Sequence, residues 1–386
     1  MAFVPWRDRY LIFGTPDIQP PEYDEVIACL DSRWIGTGPR VTRLEEAFRA
    51  YVGAPAVVAL NSCTAALQLA LKVLAFEPGS EIIVPTMTFC ATANAIVHAG
   101  CVPALVDCER DTMNIDVAAA ARRITKRTRA ILPVHFAGRP CDMPAIMDLA
   151  RAHDLFVVED CAHAVEATID GRHCGTFGDF GCFSFYATKN MTTAEGGLVT
   201  CRDQSLADRI AMLALHGMTK DARYRYRDDG FVHYDVCEPG FKHNLTDLAA
   251  SLGVHQLARI EVNWERRRAL WRYYDEALRD LPLILPSPTP GNVRHALHLY
   301  TCLVDDRATR VTRDELLRGL HQLRIGCGVH YRAVHLLDYY RRSLPDAGPF
   351  ANAEYISERT FSIPLSPAVT DDDAADVVKA LHMVLG

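Results

Sequence analysis

None of the 13 cysteines in this 386-residue sequence forms a Cys-x-x-Cys pair, so zinc-ribbon and dithiol redox spacings are excluded and no metal site is expected. No run of 18 apolar residues occurs, and no membrane span is expected. Positive charge is not in excess: 41 Lys and Arg face 48 Asp and Glu, for a net charge of −7. With no basic block, nucleic acid is not an expected partner, and any bound phosphate must be gripped locally by loops and helix N-termini. Gly36-Thr37-Gly38 lacks a third glycine in place, so the dinucleotide fingerprint fails; the Gly-x-x-x-x-Gly-Lys-[Ser/Thr] loop is missing too. There is no internal repeat and no low-complexity tract.

What is present is an ordinary globular mixture, 49% hydrophobic and 23% charged, long enough to bury a large core without disulfide or metal staples. The thiols sit in apolar runs such as Phe89-Cys90-Ala91 and Gly181-Cys182-Phe183. An odd number of such cysteines, and a start without an apolar stretch, give the expectation of a cytoplasmic protein with free buried thiols.

From about residue 56 to 200, short apolar β-branched runs alternate with helical patterns. The runs are 56–60, 81–84, 103–106, 129–134, 155–159, 179–186 and 197–200; the helices are expected over 64–75, 91–99, 116–123 and 144–153. This alternation predicts an α/β fold with a mainly parallel seven-stranded sheet covered on both faces. The last two runs have no helix between them, so part of the sheet is expected to be antiparallel. From about residue 248 the pattern changes to long helices, 248–260 and 262–281, then a Pro-rich stretch at 281–290 that reads as a linker. A strand over 299–304, a helix over 313–323, a strand near Val329 and a helix over 371–385 complete a smaller α+β unit. The expected division is a large domain over 1–260, with an N-terminal arm, and a small one over 261–386.

In open α/β sheets ligands bind beyond the carboxyl ends of the strands, and residues with chemistry collect there. Asn61-Ser62-Cys63-Thr64-Ala65 enters a helix, so Ser62, Thr64 and Ala65 either hold a phosphate or simply cap the helix. Asp160 follows an apolar run, where a carboxylate needs a partner: a salt bridge, a cap, or a protonated heteroaromatic nitrogen with His163 beside the same ring. Lys189 leaves a strand just before a tight turn, where desolvation can make it an imine-forming nucleophile, and Ser184 lies five residues earlier. An imine-forming lysine, a carboxylate for a ring nitrogen, an anion site and a flat group in Phe89 are what pyridoxal phosphate requires.

At these residues the sequence resembles the DegT/DnrJ/StrS family of pyridoxal-phosphate-dependent nucleotide-sugar aminotransferases, a branch of the aspartate aminotransferase fold (fold type I). The likeness runs through Trp34-Ile35-Gly36-Thr37-Gly38-Pro39, Asn61–Leu67, Pro85–Phe89, Glu159–His163, Ser184–Asn190, Glu195-Gly196-Gly197 and Gly240–Asp247. It implies Lys189 as the imine-forming lysine and Asp160 as partner of the pyridine nitrogen. It implies His163 and Phe89 against the two faces of the ring, Thr64, Ala65 and Ser184 around the phosphate, and Asn244 reaching the phosphate of a neighbouring subunit in an obligatory homodimer. Cys63, Ala194 and His243 depart from the commonest residues of the pattern. The related dehydratases carry His where this chain has Lys189.

The implied reaction moves an amine from an amino acid, L-glutamate foremost, to a ketone on a nucleotide-diphosphate sugar. Position 4 is favoured by the 219–222 and 240–247 segments, with 3-amination the alternative. The basic and aromatic stretch 220–228 is a candidate for the diphosphate, and Val329-His330-Tyr331 a weaker one for the sugar. Rivals are a fold-related lyase or desulfurase, and a non-catalytic sensor that holds the cofactor.

Overall fold

The computed structural model describes residues 3–219, 233–345 and 347–386. Seven strands form one sheet in the spatial order Ala56–Leu60, Gly197–Cys201, Phe180–Ser184, Phe156–Asp160, Thr128–Ile131, Glu81–Pro85, Val102–Val106. Only Gly197–Cys201 runs against its neighbours; the remaining pairings are parallel. That is the antiparallel element expected from the missing helix, since two strands joined by a short turn must reverse direction. The central residues Ile82, Ile83, Val84, Val157 and Val158 are fully buried, because helices cover both faces. The four crossover helices are Cys63–Val73, Cys90–His98, Val117–Arg123 and Met143–Ala152. Ser62, Asp116 and Asp142 cap three of them through their side chains.

A second sheet of three strands, Leu283–Ile284, Tyr300–Val304 and Thr360–Ile363, is wholly antiparallel. It packs with Leu316, Leu320, Val377 and Leu381 of the helices Arg313–Gln322 and Asp371–Leu385, and with Leu270 and Tyr274 of the long helix Ile260–Ala277. The Pro-rich stretch is tied down rather than free: Leu283 and Ile284 pair with Val304 and Leu303, and Arg139 donates to the carbonyls of Ser287 and Pro288. The expected strand near Val329 does not form. Gly328 makes a lone bridge to Ser362, after which the chain turns inward and brings His330 and Tyr331 to the large sheet. Residues 333–356 also return there, burying Ala333, Val334, Phe350 and Ile356 in the core that holds Leu67 and Val84. Among the described residues no helix is long and apolar enough to cross a membrane.

Candidate active site

Strand alternation places consecutive side chains on opposite faces, and at the end of Phe156–Asp160 this separates Glu159 from Asp160. Asp160 is 5% exposed. Its Oδ1 accepts from the Ala162 amide at 3.1 Å and its Oδ2 from the Thr92 hydroxyl at 2.8 Å. Thr92 has spent its proton on Asp160, so at 2.8 Å it accepts from Thr88. Burial pushes the Asp160 carboxyl above its usual range, while these hydrogen bonds and Lys189 pull it back. A carboxylate holding two donors keeps lone pairs for a third.

Lys189 stands on the turn after Phe180–Ser184, its amide bonded to the Tyr186 carbonyl at 2.9 Å. Desolvation lowers its amine from 10.5 to about 8, against the pull of Asp160. A sizeable neutral, nucleophilic fraction is therefore present near neutral pH. The turn beyond it explains two features of the sequence. Ala194 has φ of +67°, the left-handed region where glycine is usual. At Gly197 a Cβ would lie 2.4 Å from the Ser62 carbonyl carbon, so only glycine lets this strand approach the Ser62–Cys63 turn.

That turn begins the helix Cys63–Val73. Ser62 Oγ takes the Ala65 amide at 3.1 Å, which is the capping role. Among the described residues the amides of Cys63 and Thr64 have no protein acceptor, so the positive end of the helix remains open to an anion. Ser184, 7% exposed, accepts weakly from the Tyr186 amide at 3.4 Å.

His163, 6% exposed, accepts from the Ala137 amide on Nδ1 at 3.2 Å. Burial and the nearby Lys189 hold its pKa far below 6.5, so the ring is neutral and its proton sits on Nε2, 3.1 Å from the Tyr331 hydroxyl. Tyr331 also lies 5.9 Å from Phe89, ring to ring. Phe89 itself is 57% exposed at the start of the helix Cys90–His98.

Lys189, Asp160, His163, Ser184, Thr64, Ala65 and Phe89 thus lie around the carboxyl edge of one sheet. Asn244 bridges Leu60 at the end of the first strand. It is half-exposed and bonded to Thr37 Oγ1 at 2.6 Å, on the patch formed by Trp34 and Ile35. Thr92 carries no signal in the sequence, being an ordinary helix-entry threonine, and Thr88, though within the Pro85–Phe89 stretch, has no role assigned from it. The sequence points Tyr331 only to the sugar side, and the fold brings it onto His163. The stretch 220–228, with Arg223 and Arg225, lies outside the described residues.

A desolvated amine, a buried carboxylate with spare lone pairs and a helix start with unspent amides are the donor set that pyridoxal phosphate needs. Comparison with known proteins agrees. The Bacillus subtilis spore coat polysaccharide biosynthesis protein SpsC is 43% identical over 381 residues, 98% of each chain. A putative sugar aminotransferase of Streptococcus pneumoniae, Spr1654, solved in its PLP form, superposes with a TM-score of 0.89 at 32% identity, covering 97% of this chain and 98% of that one. DesI, solved in the presence of its TDP-sugar product, gives a TM-score of 0.88 at 29% identity over 98% of this chain and 94% of that one. The sequence profile of the DegT/DnrJ/EryC1/StrS aminotransferase family matches residues 16–382. The chain belongs to that family and is a PLP-dependent sugar aminotransferase.

Proposed function

We propose that this enzyme takes an amine from L-glutamate and delivers it to C4 of a keto sugar carried on a nucleoside diphosphate, as a cytoplasmic homodimer making amino sugars. The observation that carries the reading is the pairing of Lys189, with its amine near 8, and the buried, two-donor Asp160 at one strand edge. The likeness to DesI with its TDP-sugar product and to a polysaccharide biosynthesis protein supports a nucleotide-sugar acceptor.

The bound cofactor supplies an electron sink for the carbanion formed when a proton leaves the amino-bearing carbon. Asp160 would keep the ring nitrogen protonated, and Thr92 and Ala162 fix the carboxylate for that task. Lys189 would hold the cofactor, and its amine would act as general base and acid toward the proton of the amino-bearing carbon. His163 and Phe89 would lie against the ring. The open end of the helix Cys63–Val73, with Thr64, Ala65 and Ser184 around it, would hold the phosphate, the free amides of Cys63 and Thr64 facing it.

Two features support the dimer. Tyr23, Ile27 and Leu30 of the helix Pro20–Asp31 form an exposed stripe beside the exposed Trp34 and Ile35, an apolar surface suited to a second copy. Asn244 stands on the edge of that surface, where it can serve a neighbour's phosphate.

Absorption spectra test the reading. A band near about 420 nm that moves to about 330 nm on adding glutamate, and is missing from Lys189→Ala, is expected; a band unmoved by glutamate removes that donor. Keto sugars on TDP, UDP and GDP, with products read by NMR, decide the acceptor and the carbon. Mixing inactive Lys189→Ala with Asn244→Asp is expected to restore part of the activity, and no restoration would refute the shared site.

A further inference from the structure

Behind His163 lies a continuous chain of buried polar groups that the reaction outlined above does not use. Arg267 and Glu166, 1% and 0% exposed, form an ion pair through Nη2 and Oε1. The other carboxylate oxygen of Glu166 accepts from Asn190 Nδ2 at 2.8 Å, and the same amide nitrogen donates to the Ala296 carbonyl at 2.8 Å. Both of those partners only accept, so the orientation of the Asn190 amide is fixed. Its Oδ1 must face His298 Nδ1, 2.9 Å away, and His298 carries its proton there. The His298 ring, 5% exposed, lies 4.5 Å from the His163 ring with 34° between their planes.

Such a chain is costly to bury. Among the described residues Arg267 Nε and Nη1 have no protein partner, and a buried ion pair often stabilises a fold no better than apolar residues of the same volume. Its place explains its presence. Asn190 follows Lys189 directly, and Thr188, Lys189, Asn190 and Arg267 line a common cavity of about 10 Å³, room for one water.

We infer that Asn190 and His298 are positioning residues: the Arg267–Glu166 pair orients the Asn190 amide, which fixes the tautomer and tilt of His298, whose ring in turn sets the plane of His163 against the cofactor. The inference rests on His163 lying against the cofactor ring, as proposed above.

Two variants of the full-length holoenzyme test it. His298→Phe keeps a flat ring but removes the hydrogen bond to Asn190. Glu166→Leu/Arg267→Met replaces the ion pair by apolar groups, a change that folds tolerate. With folding checked by thermal melting, both are expected to alter the sign or amplitude of visible circular dichroism in the cofactor band. Both should also lower kcat at least about tenfold with KM for glutamate within about threefold. Wild-type dichroism and kcat in folded His298→Phe would overturn the inference; should that variant not fold, the same result in the double variant would do so. If the wild type binds cofactor but ignores glutamate, the donor proposal fails, while the dichroism still judges the chain.

Discussion

Glu159 and Asp160 are neighbours in sequence and both are buried, 0% and 5% exposed, yet the two faces of their strand treat them differently. Glu159 accepts from four donors: His135 Nε2 at 3.1 Å and the amides of Gly175, Phe177 and Gly178 at 2.7–2.8 Å. Its lone pairs are spent, and they hold the 173–178 turn to the sheet. Asp160 has two donors and lies near Lys189. A buried carboxylate with all its partners is a structural part, whereas one with lone pairs to spare waits for a ligand. Cys161 also lies near Glu159 and His135, but a metal there would have to displace those amide donors.

The sharpest way to break this contrast is to neutralise each acid in turn. Asp160→Asn is expected to lower kcat by about a thousandfold or more while the protein stays folded, since the proposed ring-nitrogen partner is lost whereas the Thr92 hydroxyl can turn to accept from the amide. Steady-state rates and melting curves together would show it; substantial activity in the variant would erase the distinction. Glu159→Gln should do the reverse. An amide must turn an N–H toward groups that are themselves donors, costing about 2–4 kcal/mol in urea unfolding. The cofactor band of the folded fraction should be kept.

A third test uses pH. The Lys189 amine is lowered to about 8 from 10.5, so cofactor uptake by the cofactor-free protein should accelerate as pH rises through 8 and then level off. The sign for stability follows from proton counting. Below 8 both folded and unfolded chains hold the proton, and the fold bears the cost of the buried charge. Between 8 and 10.5 the unfolded chain holds more protons, so stability rises with pH. The wild type should therefore gain on Lys189→Met in urea melts across that window; a constant gap would mean an unshifted lysine. Thr92→Val is the mildest change. It removes one of the two donors to Asp160 and the acceptor of Thr88, and a several-fold weaker cofactor affinity by absorbance titration is expected, with a stability loss of about 1 kcal/mol.

Much of this was readable from residue order. Continuous apolar runs imposed buried strands, and the helix-free junction between the last two runs marked the antiparallel strand. Placement at strand ends then marked Asp160, Lys189 and the Ser62–Ala65 turn, because these depend on local periodicity and immediate neighbours. The strand expected near Val329 failed because an apolar residue among polar ones does not say whether its segment pairs or turns inward.

What the tertiary structure decided is the company those residues keep. Thr92 meets Asp160 across 68 residues, His298 meets Asn190 across 108, and Tyr331 meets His163 across 168. None of these pairs shares a helix turn or a strand ladder, so no local pattern encodes them. They arise when the strands adopt their spatial order, which brings distant segments to one edge of the sheet, and burial then forces each polar group to find a partner there. Sequence alone named the amine and the acid; packing supplied the hydrogen bonds that hold them in place.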